Sequence, residues 1–294
     1  MVTRRPVVAY VALATASLLF GVTFVVVKDA VEIVPPLSFV GWRFLLGASL
    51  LFAIRLPTGR RLWRDGSIAG VLLFTGYALQ TQGLTATSAS NSGLVTGLYV
   101  VLTPLLAAAV SRRAPRGIVL AGAALAVCGF GVLTIADGFR LEAGDAYTAG
   151  CAVAFAAHIV FLARSAHRHP VLSFTGVQLA VTAVLGLAAS GLVEGVGTPP
   201  RASWAAIAIT GILVSAGAFY LQVWSQTVVG PSRTAIVLAL EPAFAALSGA
   251  VLLGDRLGGR GLVGAALILG GIYVVLAGTG PEDDLETIAI GAPH

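Results

Sequence analysis

An all-α membrane protein, with ten transmembrane helices arranged as two inverted five-helix repeats, is predicted by three features of this chain. Charge is scarce: Asp, Glu, Lys and Arg make up 11% of the 294 residues, against about 25% in a soluble domain. The charges are also clustered, so that Gly66–Ser111 runs 46 residues without one, enough for two crossings at about 20 apolar residues each. Finally, the two halves of the chain repeat each other.

Further uncharged runs cover Pro6–Val27, Gly117–Ala136, Ala146–Ala163, Val171–Val193, Ala202–Ser232 and Gly261–Pro281. Broken at Pro, Gly and charge clusters, the runs give spans near 7–27, 35–56, 66–84, 90–110, 117–136, 145–164, 171–193, 203–226, 232–253 and 260–278. The first begins like a signal peptide, with Arg4-Arg5 before an apolar run and Ala14-Thr15-Ala16 resembling a cleavage site. The run continues to Val27, long enough to span, so it is expected to be a retained helix. The 36 glycines suit helices packed backbone to backbone in lipid. Both cysteines, Cys128 and Cys151, fall inside spans, which argues against a disulfide framework and against metal binding. No cofactor and no metal are expected.

The net charge of +5 reflects orientation rather than nucleic-acid binding. With the N-terminus inside, the cytoplasmic segments collect twelve arginines: Arg4, Arg5, Arg55, Arg60, Arg61, Arg64, Arg112, Arg113, Arg116, Arg164, Arg168 and Arg233. The outside loops hold five basic residues, Lys28, Arg140, Arg201, Arg256 and Arg260. That asymmetry follows the positive-inside rule and puts both termini in the cytoplasm.

The repeat is read from short matches in a consistent order. Pro35-Pro36-Leu37-Ser38-Phe39-Val40-Gly41 returns as Pro170-Val171-Leu172-Ser173-Phe174-Thr175-Gly176 at an offset of 135, which also pairs Leu19-Phe20 with Ala154-Phe155. Leu79-Gln80 returns as Leu221-Gln222, and Gly122–Leu125 as Gly264–Leu267, at an offset of 142. The offset changes in the loop after the second span, where insertions are tolerated. The repeats are drawn at 1–140 and 141–278, with 279–294 an acidic cytoplasmic tail containing Glu282-Asp283-Asp284-Leu285-Glu286. Five spans per unit is an odd number, so the second unit is upside down relative to the first. Such inverted repeats characterise secondary transporters, whose substrate site lies near the bilayer midplane between the halves.

Polar groups inside spans are costly and therefore informative. Arg43 sits two turns into span two, with Gln178 as repeat partner; it either snorkels to the headgroups or binds a carboxylate. His158 is mid-span on a face with Cys151 and Phe155, and its repeat partner is Thr23. Glu241 directly precedes Pro242, which lacks a backbone donor and frees a carbonyl one turn earlier. The glutamate is accordingly either a proton-coupling group or a structural one, and its repeat partner is Tyr99, one turn before Pro104. Pro104 and Pro242 are expected to break their helices. Span four carries a polar stripe, Ser92, Thr96, Tyr99 and Thr103; span three offers Tyr77, Gln80 and Thr81, and span eight Phe219, Gln222 and Gln226. The substrate-cavity candidates are thus Arg43, Tyr77, Gln80, Thr96, Tyr99, His158, Gln222 and Gln226. Interhelical hydrogen bonding is the alternative use of the same stripes.

In their order, several motifs resemble the EamA family of the drug/metabolite transporter superfamily. They are Leu19-Phe20-Gly21-Val22-Thr23-Phe24, Trp42-Arg43-Phe44, Thr87-Ser88-Ala89-Ser90-Asn91, Gly97-Leu98-Tyr99-Val100-Val101-Leu102-Thr103-Pro104, Leu240-Glu241-Pro242 and Gly254-Asp255-Arg256-Leu257. The likeness covers almost the whole chain. It implies a ten-helix carrier of the bacterial inner membrane, usually an exporter of amino acids, metabolites or toxic compounds, with a central cavity lined from both repeats. Two departures from the family pattern, Phe20-Gly21 for Trp-Gly and Gly254-Asp255 for Gly-Glu, are conservative. The small multidrug relatives carry a proton-binding Glu in their first helix; this chain has none there.

Competing classes fare less well. The chain lacks a Gly-x-x-x-x-Gly-Lys-Ser/Thr phosphate loop, His-Glu-x-x-His and Gly-x-Ser-x-Gly, which disfavours a pump and a membrane-embedded enzyme. A lipid or lipid-linked sugar flippase remains the alternative within the superfamily. The expected partners are a small-molecule substrate and the lipid bilayer, not nucleic acid, and the oligomeric state is left open.

Overall fold

The computed structural model describes residues 4–112, 114, 116–134, 143–195, 197–229, 234, 237–238, 240–254 and 258–278, and among these every regular element is helical. The acidic tail, most of the Asp137–Asp145 loop, and Arg113, Arg233, Asp255 and Arg256 lie outside the described residues. The elements are α1 (Arg4–Ala30), α2 (Pro36–Ile54), α3 (Arg60–Leu84), α4 (Ala89–Thr96), α5 (Leu98–Val110), α6 (Gly117–Thr134), α7 (Ala143–Ser165), α8 (Val171–Val193), α9 (Trp204–Ile209), α10 (Phe219–Gln226), α11 (Leu240–Ser248) and α12 (Gly259–Gly278). A π-helical stretch, Thr210–Ala218, joins α9 to α10, and a second, Gly249–Leu253, extends α11.

Among the described residues six helical segments are long and apolar enough to cross a membrane, and Leu120–Gly129, Ala243–Leu253 and Gly259–Gly271 are shorter apolar stretches. α3 has Arg60, Arg61, Arg64 and Asp65 in its first turns and no charge beyond. Large apolar side chains such as Leu192, Val251 and Tyr273 stay exposed, as a lipid-facing surface requires. Span four is interrupted at Gly97, between α4 and α5, whereas Pro104 sits inside α5. The sequence-based expectation of a break at Pro104 is therefore corrected. A proline removes only one donor, and here the helix bends its ladder seven residues earlier, where Val100 N–H donates to Gly97 O at 3.0 Å. The helical backbone of α11 likewise includes Pro242.

The packing is reciprocal between halves. A Cβ added to Gly41, early in α2, would lie 2.7 Å from Leu187 late in α8; one added to Gly176, early in α8, would lie 2.7 Å from Phe52 late in α2. Gly41 and Gly176 are 135 residues apart, and so are Phe52 and Leu187. At the other end of the repeat, a Cβ at Gly129 in α6 would meet Ile268 in α12 at 2.6 Å, and one at Gly271 would meet Ala126 at 2.6 Å. Both of those pairs of positions are 142 apart. Equivalent helices thus contact each other while running in opposite directions, which only a pseudo-two-fold axis perpendicular to them can produce. The axis lies in the membrane plane, and the repeats are inverted. Gly41 and Gly186 are what let α2 and α8 touch, since a Cβ on Gly186 would come within 2.9 Å of the Gly41 backbone.

Charges fasten the helix ends. Lys28 Nζ donates to the Leu84 and Thr87 carbonyls at 2.8 and 3.0 Å, meeting acceptors that the end of α3 leaves free. Glu194 accepts from Leu37 N and Ser38 N at 2.8 and 2.9 Å, a carboxylate on the N-terminus of α2. On the opposite side Asp65 accepts from Arg64 Nε and His169 Nε2, both at 2.9 Å, and His169 stacks on Phe174. Burial alone would push the Asp65 carboxyl up, but the hydrogen bonds from His169 and Arg64 outweigh it and hold the group below the usual carboxylate range. Burial, with Arg168 and His169 nearby, lowers the His167 imidazole.

Candidate central cavity

The cavity is built on the symmetry axis. Tyr77 and Phe219 are repeat mates, 142 residues apart, and their rings meet across the axis with centroids 5.9 Å apart. Each packs against a second ring: Tyr77 against Phe155 at 5.1 Å, and Phe219 against Phe20 at 5.0 Å. Phe20 and Phe155 are themselves mates at the offset of 135. Deeper along the axis the Tyr99 hydroxyl donates to Glu241 Oε2 at 2.8 Å, and this pair is again separated by 142. The same hydroxyl lies 3.1 Å from the Leu238 carbonyl oxygen. Having one proton, it serves one of these acceptors at a time.

These groups border a small cavity with an open mouth, lined by Phe20, Tyr77, Tyr99, Phe155, His158, Ile159, Phe219, Gln222, Leu238 and Glu241. His158 is fixed by donating from Nε2 to Gln178 Oε1 at 2.8 Å. Gln222 Nε2 reaches Gln226 Oε1, and Gln226 Nε2 the Ile159 carbonyl, both at 3.4 Å.

Of the residues singled out from sequence, Tyr77, Tyr99, His158, Gln222 and Glu241 are brought together in the lining. Gln226 braces Gln222 from behind, while Gln80 and Thr96 hydrogen-bond each other at 3.4 Å outside the lining. Arg43 is 0% exposed, so it does not snorkel to the headgroups. Its guanidinium stands 4.9 and 4.6 Å from the Phe44 and Tyr77 ring centroids, with Nε donating to Ser215 Oγ at 3.4 Å. Among the described residues no carboxylate pairs with it, and Nη2 has no hydrogen-bond partner. Phe20, Ile159 and Leu238 were not flagged as cavity residues from sequence. The signal that points to Phe20 is the repeat itself, because an aromatic residue recurs at the matched position, Phe155.

The profile of the EamA-like transporter family matches residues 7–135 and again 142–277. The chain belongs to the EamA-like transporter family. An uncharacterized transporter of Archaeoglobus fulgidus is 30% identical to this EamA-like protein over 265 residues, spanning 90% of this chain and 84% of that one. The uncharacterized transporter YetK of Bacillus subtilis is 26% identical over an aligned length of 300, covering 94% and 89% respectively. A WAT1-related protein of Arabidopsis thaliana is 32% identical over 90 residues, 31% of this chain. A solved crystal structure superposes with a TM-score of 0.65 at 27% identity, over 90% of this EamA-like transporter and 95% of that chain.

Proposed function

We propose that this EamA-like transporter is a secondary carrier that exports small organic metabolites, amino acids or drug-like compounds across the bacterial inner membrane by alternating access, both termini being cytoplasmic. The observation that carries the reading is the asymmetry of the cavity about its own axis. His158, Ile159, Gln222, Leu238 and Glu241 line it. Their repeat mates are Thr23, Phe24, Gln80, Thr96 and Tyr99, and of these Tyr99 alone takes part. The lining side chains sit late in α7 and α10 and at the start of span nine, which the arginine bias places in the cytoplasmic half. The mates outside the lining occupy the outer half, late in α1 and α3 and in α4. A protein made of two equivalent inverted units has a second packing of equal standing, in which the roles of the two sets are exchanged.

Single cysteines test this in a background with Cys128→Ser and Cys151→Ala. Gln222→Cys is expected to react with a thiol reagent from the cytoplasmic side. Thr23→Cys or Gln80→Cys should react from outside only when the first set is shielded. Simultaneous labelling of both sets from one side would indicate a channel and overturn the reading. Cysteines in the Arg60–Arg64 loop should resist an impermeant reagent in intact cells, and ones in the Gly138–Gly144 loop should label; the reverse would overturn the orientation.

A further inference from the structure

Resting on that transport reading, we infer that the central cavity takes a compact organic cation, an amine or quaternary ammonium with an aromatic or aliphatic body. Five aromatic rings face this one cavity, from Phe20, Tyr77, Tyr99, Phe155 and Phe219. Glu241 is the acidic side chain in the lining, and neither Lys nor Arg contributes to it. Among the described residues Glu241 Oε2 accepts from Tyr99 and Oε1 accepts from no side chain, so the carboxyl keeps an oxygen for a ligand donor. Aromatic faces attract cations through their quadrupoles, more strongly where water is excluded. The protein already uses part of this cluster for that purpose. Arg43, buried and with no carboxylate partner among the described residues, is held against Phe44 and Tyr77 at 4.9 and 4.6 Å from their centroids. That guanidinium stands behind Tyr77 and Phe44 and is not among the lining residues, so a ligand in the cavity meets the rings and Glu241 instead. A carboxylate ligand would have to compete with Glu241 for the Tyr99 hydroxyl and would face that acidic side chain at close range.

The test compares three probes of one shape, benzylammonium, benzyl alcohol and benzoate, by calorimetric titration of the full-length protein in lipid nanodiscs. Benzylammonium is expected to bind at least about tenfold more tightly than either of the others, the scale of one desolvated cation–π contact plus the carboxylate. Glu241→Gln should lose about tenfold for benzylammonium and leave benzyl alcohol unchanged. Because Glu241 also partners Tyr99, Phe219→Leu supplies an independent arm. The Phe219 ring makes no hydrogen bond, packing edge-on against His158 at 6.2 Å, and the variant should weaken benzylammonium several-fold more than benzyl alcohol. Equal binding of the three probes, preference for benzoate, or no binding of benzylammonium at millimolar concentration would overturn the proposal. Liposome flux separates it from the transport reading. Charge-selective binding without flux refutes transport and leaves the cation site standing, whereas flux of neutral or anionic solutes without cation preference refutes the cation site alone.

Discussion

Replacing Tyr99 with Phe removes one oxygen from the symmetry axis and leaves its ring in place. The hydroxyl lies 2.8 Å from Glu241 Oε2, and the two residues are 2% and 7% exposed, so water does not readily substitute for the lost partner. An unsatisfied buried acceptor costs about 1–3 kcal/mol in a soluble protein. Hydrogen bonds between membrane helices average about 0.6 kcal/mol with a maximum near 1.7, because the unfolded chain in lipid also finds partners. The membrane value governs here, since α5 and α11 stay in lipid on unfolding. Tyr99→Phe is therefore expected to cost about 1 kcal/mol, as is Glu241→Leu. The double variant should cost less than the sum, with a coupling of about 0.6–1.7 kcal/mol. The assay is reversible unfolding in mixed micelles titrated with sodium dodecyl sulfate, followed by helicity and tryptophan fluorescence. Symmetry adds a sharper arm. Because the positions are repeat mates, the exchange Tyr99→Glu with Glu241→Tyr should recover most of the coupling, while either exchange alone, with two carboxyls or two phenols, should not. Additivity within about 0.3 kcal/mol would refute the pair, and an exchange variant no better than its singles would refute its placement on the axis.

Two further outcomes follow from the packing and the helix ends. Gly186→Ala drives a methyl to within 2.9 Å of the Gly41 backbone and should destabilise by about 1–3 kcal/mol, as overpacking does; Gly217→Ala, whose Cβ would sit 3.5 Å from its nearest neighbour, should be neutral or slightly stabilising through helix propensity, and equal effects of the two in thermal unfolding would contradict the close approach of α2 and α8. Asp65 is held below the usual carboxylate range by His169 and Arg64 against the effect of burial, so its contribution is present above the ordinary carboxylate pKa and lost as pH falls through the lowered one; the stability gap between wild type and Asp65→Asn should be full near neutral pH and narrow from about pH 5 towards 3, and a gap that widens with acid would refute the assignment.

Much of the architecture follows from the sequence alone, because lipid constrains it strongly. With no water to satisfy a backbone, an uncharged run of sufficient length must be helical, and so the charge gaps locate the spans. The repeat was legible because the matches Pro35–Gly41 with Pro170–Gly176 and Gly122–Leu125 with Gly264–Leu267 keep their offsets, and five spans per unit then dictate inversion. Much of the cavity lining was also readable: Tyr77, Tyr99, His158, Gln222 and Glu241 are polar or ionisable where lipid disfavours them, and Phe155 and Phe219 share helix faces with them. Tertiary structure decided the rest. Sequence could not say that Arg43 would be enclosed by Phe44 and Tyr77 rather than reach the headgroups, because both fates suit an arginine two turns into a span. Nor did it separate Ile159 and Leu238 from the other apolar side chains facing inward, since a helical period reports a face and not what lies opposite. The interruption at Gly97 instead of Pro104, and the π-helical turns beside Ser215, likewise depend on neighbours distant in sequence. What the fold adds is the coincidence of three mate pairs, Tyr77 with Phe219, Phe20 with Phe155, and Tyr99 with Glu241, around a single axis. Only packing two inverted halves against each other brings residues some 140 positions apart to opposite sides of one cavity.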